Sequence, residues 1–207
     1  MKMTPGHRAA LSDILRWRRD VRHFRPDPVD PACLARLRDA MACAPSVGNS
    51  RPWRVLQVED RAKRTRIVEI FERCNADAAR EYDGASRSDY LALKLAGLRE
   101  APVHLAVFTD RDVTEGRGLG RRTMPETLDY STVMAIHTLW LAARSEDLGL
   151  GWVSILDPGA VARALDAPDG WSLTGYLCLG HAEADSDTPL LHDAGWQSNA
   201  ETVWRIV

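Results

Sequence analysis

The chain has 207 residues, of which 45% are hydrophobic and 27% charged. This composition is typical of a globular protein with a substantial core, and it argues against disorder. The formal net charge of −2 gives no overall electrostatic reason to bind nucleic acid or an anionic membrane surface. No apolar run approaches the roughly 20 residues that a membrane-spanning helix needs. The N-terminal residues lack the apolar segment of a signal peptide, so we expect a cytoplasmic protein.

Cysteine, histidine and tryptophan contents set three further expectations. The four cysteines contain no CxxC pair, which predicts free thiols, mostly buried. The six histidines lack the paired spacing of zinc sites, and we predict no protein-bound metal. The seven tryptophans are many for this length. Because a buried indole needs a partner for its N–H group, several could lie in pockets or interfaces as well as in the core.

The first part of the chain alternates predicted helices with proline-containing loops. In chain order the predicted elements are a helix over residues 9–17, a helix that Asp30 caps and Pro31 begins, a loop over 44–53, a strand over 54–58 and a helix over 61–80. A further helix is predicted to carry Leu91, Leu95 and Leu98 and to end before Pro102.

The second part contains the most apolar predicted helix. In chain order its elements are a strand over 103–109, a long loop over 110–126, a helix over 131–145, a strand over 152–155, a helix over 158–166 and a strand over 173–179. The helix over 131–145 is apolar over most of its circumference, which predicts a place in the core or in a subunit interface. The polar tail is predicted to be anchored by Trp196 and Trp204. Helices and strands mix without a regular βαβ period, so residues 1–207 predict one α+β domain.

Five arginines lie within ten residues of one another, and they are Arg16, Arg18, Arg19, Arg22 and Arg25. Guanidinium groups bind phosphate through paired hydrogen bonds, so this cluster is a candidate phosphate site. A solvated basic surface is the alternative interpretation. Asp20 lies inside the cluster, where neighbouring cations favour its ionised form and allow it to act as a base or acceptor. A structural salt bridge is the alternative for Asp20, and the residues alone favour it.

Two other segments carry candidate site residues. Ser46 and Gly48 lie in a loop after a helix, where small residues let a ligand approach the backbone and the hydroxyl supplies a polar contact. A turn that needs small residues is the alternative. Ser154 follows a glycine-rich turn, but nothing near it resembles a nucleophile elbow, so a hydrogen-bonding role is favoured. The sequence contains neither a Walker A motif nor a GxGxxG loop.

Taken in order, several segments resemble the nitroreductase superfamily, and within it the flavin-consuming enzymes that make 5,6-dimethylbenzimidazole. The matching segments together cover most of residues 16–182, and they are Arg18-Arg19-Asp20-Val21-Arg22, Ala44-Pro45-Ser46-Val47-Gly48 with Pro52-Trp53, residues 93–102, Tyr130-Ser131-Thr132-Val133, residues 139–144, residues 149–155 and residues 176–180. Each segment alone is weak, but the ordered set is specific.

The resemblance implies a nitroreductase-like fold, with a central, mostly antiparallel sheet flanked by helices. It also implies an intertwined homodimer that binds FMN at the subunit interface. The implied reaction is an oxygen-dependent fragmentation of reduced FMN. A flavin reductase is the implied source of the reduced FMN. Its products are 5,6-dimethylbenzimidazole, the lower ligand of vitamin B12, and erythrose 4-phosphate.

Residue by residue, the resemblance places Arg18, Arg19 and Arg22 at the FMN phosphate and polar chain, with Val21 in the same segment. Asp20 and Ser154 match the two positions tied to catalysis. Positioned carboxyl and hydroxyl groups are reasonable relays for the proton transfers of such a fragmentation. The remaining expected pocket residues are Ser46, Gly48, Leu93, Lys94, Gly151 and Trp152.

Two departures from the family pattern keep alternatives open. Residues 49–51 read Asn-Ser-Arg, which is closer to an ordinary nitroreductase, and Gln197-Ser198 follow Gly195-Trp196 where the pattern has an arginine. A conventional NAD(P)H-dependent FMN nitroreductase or flavin reductase is therefore one alternative. A non-catalytic flavin-binding protein is another.

Overall fold

The computed structural model describes residues 1–93 and 95–207, and its centre is a twisted antiparallel sheet with the strand order β1-β2-β4-β3. The strands are β1 (Trp53–Gln57), β2 (Val103–Asp110), β3 (Gly149–Val153) and β4 (Trp171–Gly180). Each neighbouring pair is antiparallel, and a register shift interrupts the β2–β4 pairing between Val107 and Phe108. The α+β fold with an antiparallel sheet is as predicted.

Seven α-helices surround this sheet in the described part of the chain. They are α1 (Pro5–Trp17), α2 (Pro31–Met41), α3 (Arg61–Ala78), α4 (Gly84–Ala92), α5 (Thr127–Ser145), α6 (Pro158–Ala164) and α7 (Leu190–Asp193). Short polar side chains begin several of them by accepting backbone N–H groups that have no partner within the helix. Asp30, Asp60 and Asp157 each accept such a bond, and proline follows in the first turn of α2 and α6.

Two apolar clusters pack on opposite faces of the sheet. One joins α2 and α5 to the sheet through residues such as Leu37, Ile136 and Leu150. The other joins α3 and α6 to the sheet through residues such as Ile67 and Val161. Alternate residues of β4 serve the two clusters, since side chains along a strand point to opposite faces. The sheet is thus covered on both sides, which fixes β3 and its neighbours at the site described below.

Four predicted element bounds are corrected by the structure. Helix α4 ends at Ala92, so Leu95 and Leu98 lie beyond it, and Leu98 is buried against the sheet instead. Strand β3 covers Gly149–Val153 rather than residues 152–155, because both glycines pair with β4. Helix α5 begins at Thr127, four residues before the predicted start, and α1 begins at Pro5.

The tail and α5 are more exposed in a single chain than predicted. Trp204 is 87% exposed, so its predicted role as an anchor is wrong within one chain, whereas Trp196 packs edge-on against Tyr82. One side of α5 is buried, but Val133 and Met134 on its other side are each 39% exposed. No helix in the described part of the chain is long and apolar enough to cross a membrane.

Candidate active site

The segment of residues 18–22 runs alongside β3. Asp20 forms a parallel bridge with Leu150, and the Val21 N–H donates to the Leu150 carbonyl at 3.1 Å. The approach is possible only because β3 begins with glycines. A Cβ atom at Gly151 would lie 2.1 Å from the Val21 carbonyl oxygen, and one at Gly149 would lie 2.7 Å from Val21 Cγ2. Glycine at these two positions therefore sets the distance between the arginine-rich segment and the sheet.

The Asp20 carboxylate is held by two donors. Its Oδ1 accepts the backbone N–H of Trp152 at 2.9 Å, and its Oδ2 accepts from Arg22 Nε at the same distance. The side chains of Arg22 and Asp20 are 13% and 32% exposed. Asp20 is therefore fixed in orientation but still open to solvent or a ligand. Asp20 thus forms a salt bridge, as one interpretation of the sequence has it, and its role as a base stays a prediction.

The five arginines of the cluster differ in the partners that their guanidinium groups bind. Three of them form ion pairs with carboxylates: Arg16 with Asp187, Arg22 with Asp20, and Arg25 with Asp27. A fourth, Arg19, donates hydrogen bonds to the backbone carbonyl oxygens of Arg16, Arg18 and Asp187. Burial lowers the pKa of Arg19, and the charge of Arg18 adds to this lowering. The Arg18 guanidinium has no hydrogen bond or ion pair with any residue that the structure describes. Arg18 is thus the arginine whose donors are available to a phosphate.

Trp140 on α5 holds the start of this segment, although nothing in the sequence marked it as a site residue. Its ring centroid lies 4.8 Å from Arg18 Cζ, and its Nε1–H donates to the Arg19 carbonyl at 3.1 Å. Its ring also approaches Trp152, with 6.5 Å between the centroids. The high tryptophan content was the available signal, because a half-buried indole needs a hydrogen-bond acceptor.

Ser154 is the first residue after β3 and is exposed. Its side chain has no hydrogen-bond partner among the described residues, so its hydroxyl is available to a ligand. The Asp20 carboxylate is bound to the N–H of Trp152, two residues earlier. The structure thus binds Asp20 to β3 two residues before Ser154 in the chain, on the edge strand that the arginine-rich segment follows.

Of the predicted region after α4, Gly97 lies against the segment, whereas Leu93 lines a cavity to which residues 18–22 do not contribute. A Cβ atom at Gly97 would lie 2.5 Å from the Phe24 ring and 3.2 Å from the Arg22 carbonyl oxygen. Leu93 lines a cavity of about 480 Å³ together with Tyr82, Asp89 and Trp196. The predicted pocket residue Lys94 lies outside the described residues.

Ser46 and Gly48 make their contacts elsewhere within one chain. Ser46 Oγ accepts the Arg51 N–H at 3.0 Å, and Val47 N–H donates to Ser131 Oγ at 3.0 Å. Gly48 has a φ of 56°, and a Cβ atom there would lie 2.9 Å from the Leu119 carbonyl oxygen. The structure therefore supports the turn interpretation for this loop, and its hydrogen bonds do not join it to the Asp20 segment.

A buried polar pair lies in the sheet behind the site. His104 Nδ1 and Tyr176 Oη are 3.0 Å apart, and both side chains are at most 1% exposed. Burial lowers the pKa of His104 to about 4, and the nearby Arg64 guanidinium adds to the lowering. Burial likewise raises the pKa of Tyr176 and of the Cys178 thiol. All of these groups are neutral near pH 7.

Two other sequence expectations concern cysteines and metals. The four cysteines are free thiols, as predicted, but Cys33 and Cys178 alone are fully buried. Within residues 1–93 and 95–207, no cluster of three or more His, Cys, Asp or Glu side chains has a geometry suited to a metal ion.

Comparison with known proteins places this site in a class. The chain belongs to the nitroreductase family, whose family model matches residues 15–181. It is 56% identical to a 5,6-dimethylbenzimidazole synthase of Rhodobacter capsulatus over 204 residues, which cover 99% of both chains. A 5,6-dimethylbenzimidazole synthase of Rhodospirillum rubrum is 54% identical over 195 residues, covering 94% of this chain and 92% of that protein.

The fold is also that of a solved flavoprotein. Oxidized iodotyrosine deiodinase, crystallised with FMN and 3-iodo-L-tyrosine, superposes with a TM-score of 0.75 at 23% identity. The superposition covers 94% of this chain and 97% of that chain. The resemblance to the nitroreductase superfamily that the motifs indicated is therefore confirmed.

Proposed function

We propose that this protein is a 5,6-dimethylbenzimidazole synthase that uses reduced FMN and O2 as substrates. The products would be 5,6-dimethylbenzimidazole, for cobalamin biosynthesis, and erythrose 4-phosphate. The observation that carries the proposal is the Asp20 carboxylate, which the Trp152 N–H and Arg22 hold at β3, the strand that Ser154 follows. Identities of 56% and 54% to synthases over nearly the whole chain support this function over that of a conventional NAD(P)H-dependent reductase.

The residues present fit FMN. The unengaged donors of Arg18 suit the phosphate, because a guanidinium presents its N–H groups in the plane that a phosphate oxygen pair can accept. Gly151 lets the arginine-rich segment lie directly against β3, and Trp152 adds a half-buried aromatic surface beside that segment. Arg22, Val21, Leu93 and Lys94 would complete the part of the site that one chain supplies, while Arg19 fixes the segment. When bound, reduced FMN supplies the electrons that O2 accepts.

Asp20 and Ser154 would move protons in this reaction. A general acid or base must lie within hydrogen-bond reach of the reacting group and keep its orientation. The two donors fix Asp20, so its carboxylate can accept a proton without rotating away. The Ser154 hydroxyl can donate and accept at once, which suits a relay between the carboxylate and the polar chain of the flavin.

A homodimer would complete the site. Family members are commonly dimeric, and this chain exposes apolar surfaces that a second copy would bury. These surfaces are Val133 and Met134 on α5, the tail residues Trp204 and Ile206, and a groove of about 500 Å³ lined by residues such as Leu34 and Val55. Ser46 and Gly48, which do not join the Asp20 segment within one chain, would approach the flavin from the second subunit.

One incubation tests the proposal. Purified protein is mixed with chemically reduced FMN in air, and the products are separated by chromatography. We expect 5,6-dimethylbenzimidazole well above the amount formed without protein. Recovery of intact oxidised FMN alone would contradict the synthase function. Turnover of a nitroarene with NAD(P)H would then support a reductase, and binding without turnover would support a flavin-binding protein.

The proposed reaction requires a source of reduced FMN. Because reduced FMN is a substrate, a flavin reductase must supply it, and the cytoplasm is where we place both proteins. The whole chain, residues 1–207, would act as one flavin-binding domain. Addition of a flavin reductase and NADH to the incubation should replace the chemical reductant.

A further inference from the structure

We propose that Trp140 presents the Arg18 guanidinium to the phosphate of the flavin and so makes the site prefer FMN to riboflavin. Trp140 is a positioning residue, because it contacts Arg18 and the Arg19 backbone. The inference rests on the proposed function, since it requires a flavin site at this segment.

The first observation is that the Arg18 guanidinium contacts an aromatic ring and no described polar group. Its Cζ lies over the Trp140 ring, 4.8 Å from the ring centroid. A cation–π contact of this kind uses the positive charge and does not require the N–H donors for a hydrogen bond. Those donors have no partner among the described residues. A phosphate could therefore bind them without displacing the contact with the ring.

The second observation is that Trp140 is itself fixed. Its Nε1–H donates to the Arg19 carbonyl at 3.1 Å, so the same side chain orients the residue before Asp20. Its ring packs towards Trp152, and a Cβ atom at Gly175 would lie 2.7 Å from the Trp152 ring. A series of contacts thus runs from β4 through Trp152 and Trp140 to Arg18. These contacts limit the rotamers that the long, flexible Arg18 side chain can adopt.

The other arginines do not offer the same chemistry. Arg19 is occupied by backbone carbonyl oxygens, and Arg22 is committed to Asp20. Discrimination between FMN and riboflavin, which differ only in the phosphate, should therefore depend on Arg18 and on the ring that orients it.

The test measures the affinity of the full-length protein for oxidised FMN and for riboflavin by fluorescence titration. Trp140→Leu removes both contacts, and Trp140→Phe keeps a ring but removes the N–H donor. Trp171→Leu is the matched control, because Trp171 is half-buried at the distant end of β4 against Phe108. Arg18→Gln removes the charge itself.

We expect Trp140→Leu to weaken FMN binding by about tenfold and to leave riboflavin binding unchanged. Trp140→Phe should lose less affinity for FMN, and Trp171→Leu should keep the wild-type preference for FMN over riboflavin. Adding Trp140→Leu to Arg18→Gln should lower the affinity for FMN little further, because the two residues act through one contact. If Trp140→Leu does not fold, Trp140→Met, which also removes the ring and the N–H donor, gives the same comparison alone and combined with Arg18→Gln.

Three results for the variants would overturn the inference. These are an equal loss of affinity for both flavins, unchanged binding of FMN in Trp140→Leu, and additive effects of the Trp140 and Arg18 changes. A wild-type protein that binds both flavins equally would overturn the role of Trp140 and leave the flavin site standing. A wild-type protein that binds neither would overturn the proposed function as well.

Discussion

The Asp20 carboxylate accepts the backbone N–H of Trp152 at 2.9 Å, which ties a residue near the N-terminus to one 132 positions later. The second carboxylate oxygen accepts from Arg22, so Asp20 links the arginine-rich segment to the end of β3. This single side chain joins the two parts of the sequence that carry the predicted catalytic residues.

Asp20→Asn should keep flavin binding and lose the benzimidazole product. The amide oxygen can still accept the Trp152 N–H, which keeps the segment against β3, although the amide NH2 cannot accept from Arg22 as Oδ2 does. The variant no longer offers a carboxylate to accept protons. We expect the product yield to fall by about 100-fold or more, as is usual for loss of a general acid or base. Chromatography of the reaction products measures the yield, and FMN titration provides the control. Near-full yield would remove Asp20 from the mechanism.

Ser154→Gly should likewise reduce the yield, with little effect on folding. Ser154 is exposed and has no hydrogen-bond partner among the described residues, so the free energy of unfolding should change by about 0.5 kcal/mol or less. Ser145→Gly is the comparison, since Ser145 is an exposed serine at the end of α5. Equal yields from the two variants would show that Ser154 has no part in the reaction.

Gly151→Ala should damage flavin binding and stability together. The new methyl group would lie 2.1 Å from the Val21 carbonyl oxygen, so the segment of residues 20–21 must move away from β3. Overpacking of this kind costs about 1–3 kcal/mol, which urea unfolding can measure. Gly6→Ala is the control, because the added Cβ would lie at an ordinary contact distance of 3.7 Å from Thr4 Oγ1. Wild-type FMN affinity in Gly151→Ala would contradict the importance of this approach.

His104 should make the protein less stable as the pH falls from about 6.5 to about 4. Burial lowers its pKa to about 4, whereas an unfolded histidine titrates near 6.5, so the unfolded state binds the extra proton in this range. The stabilisation is complete above this window and is lost towards its lower end. One such group gives a slope of at most about 1.4 kcal/mol per pH unit.

Urea unfolding between pH 4.5 and 7.5 measures that slope. His104→Gln should flatten it, even if its overall stability is lower, because the titrating group is gone. His192→Gln, at an exposed histidine, should keep the wild-type slope. An unchanged slope in His104→Gln would assign the pH dependence to other groups.

The sequence by itself determined the elements whose signals are local. Asp30 before Pro31 marks the start of α2, and the apolar run of β2 marks a buried strand, because capping and burial patterns depend on neighbouring residues. The ordered motifs were enough to identify the nitroreductase family. The same signals failed after Ala92, where the apolar residues Leu95 and Leu98 continue a helical spacing but belong to a segment packed beside the sheet.

Only the tertiary structure decided which polar groups are available. Five arginines look alike in the sequence, yet four are engaged by partners, some of them far along the chain, and Arg18 is turned onto Trp140 instead. The need for glycine at position 151 arises from the Val21 carbonyl oxygen, 130 residues earlier. Such relationships depend on how distant segments pack, and no local pattern of residues records them.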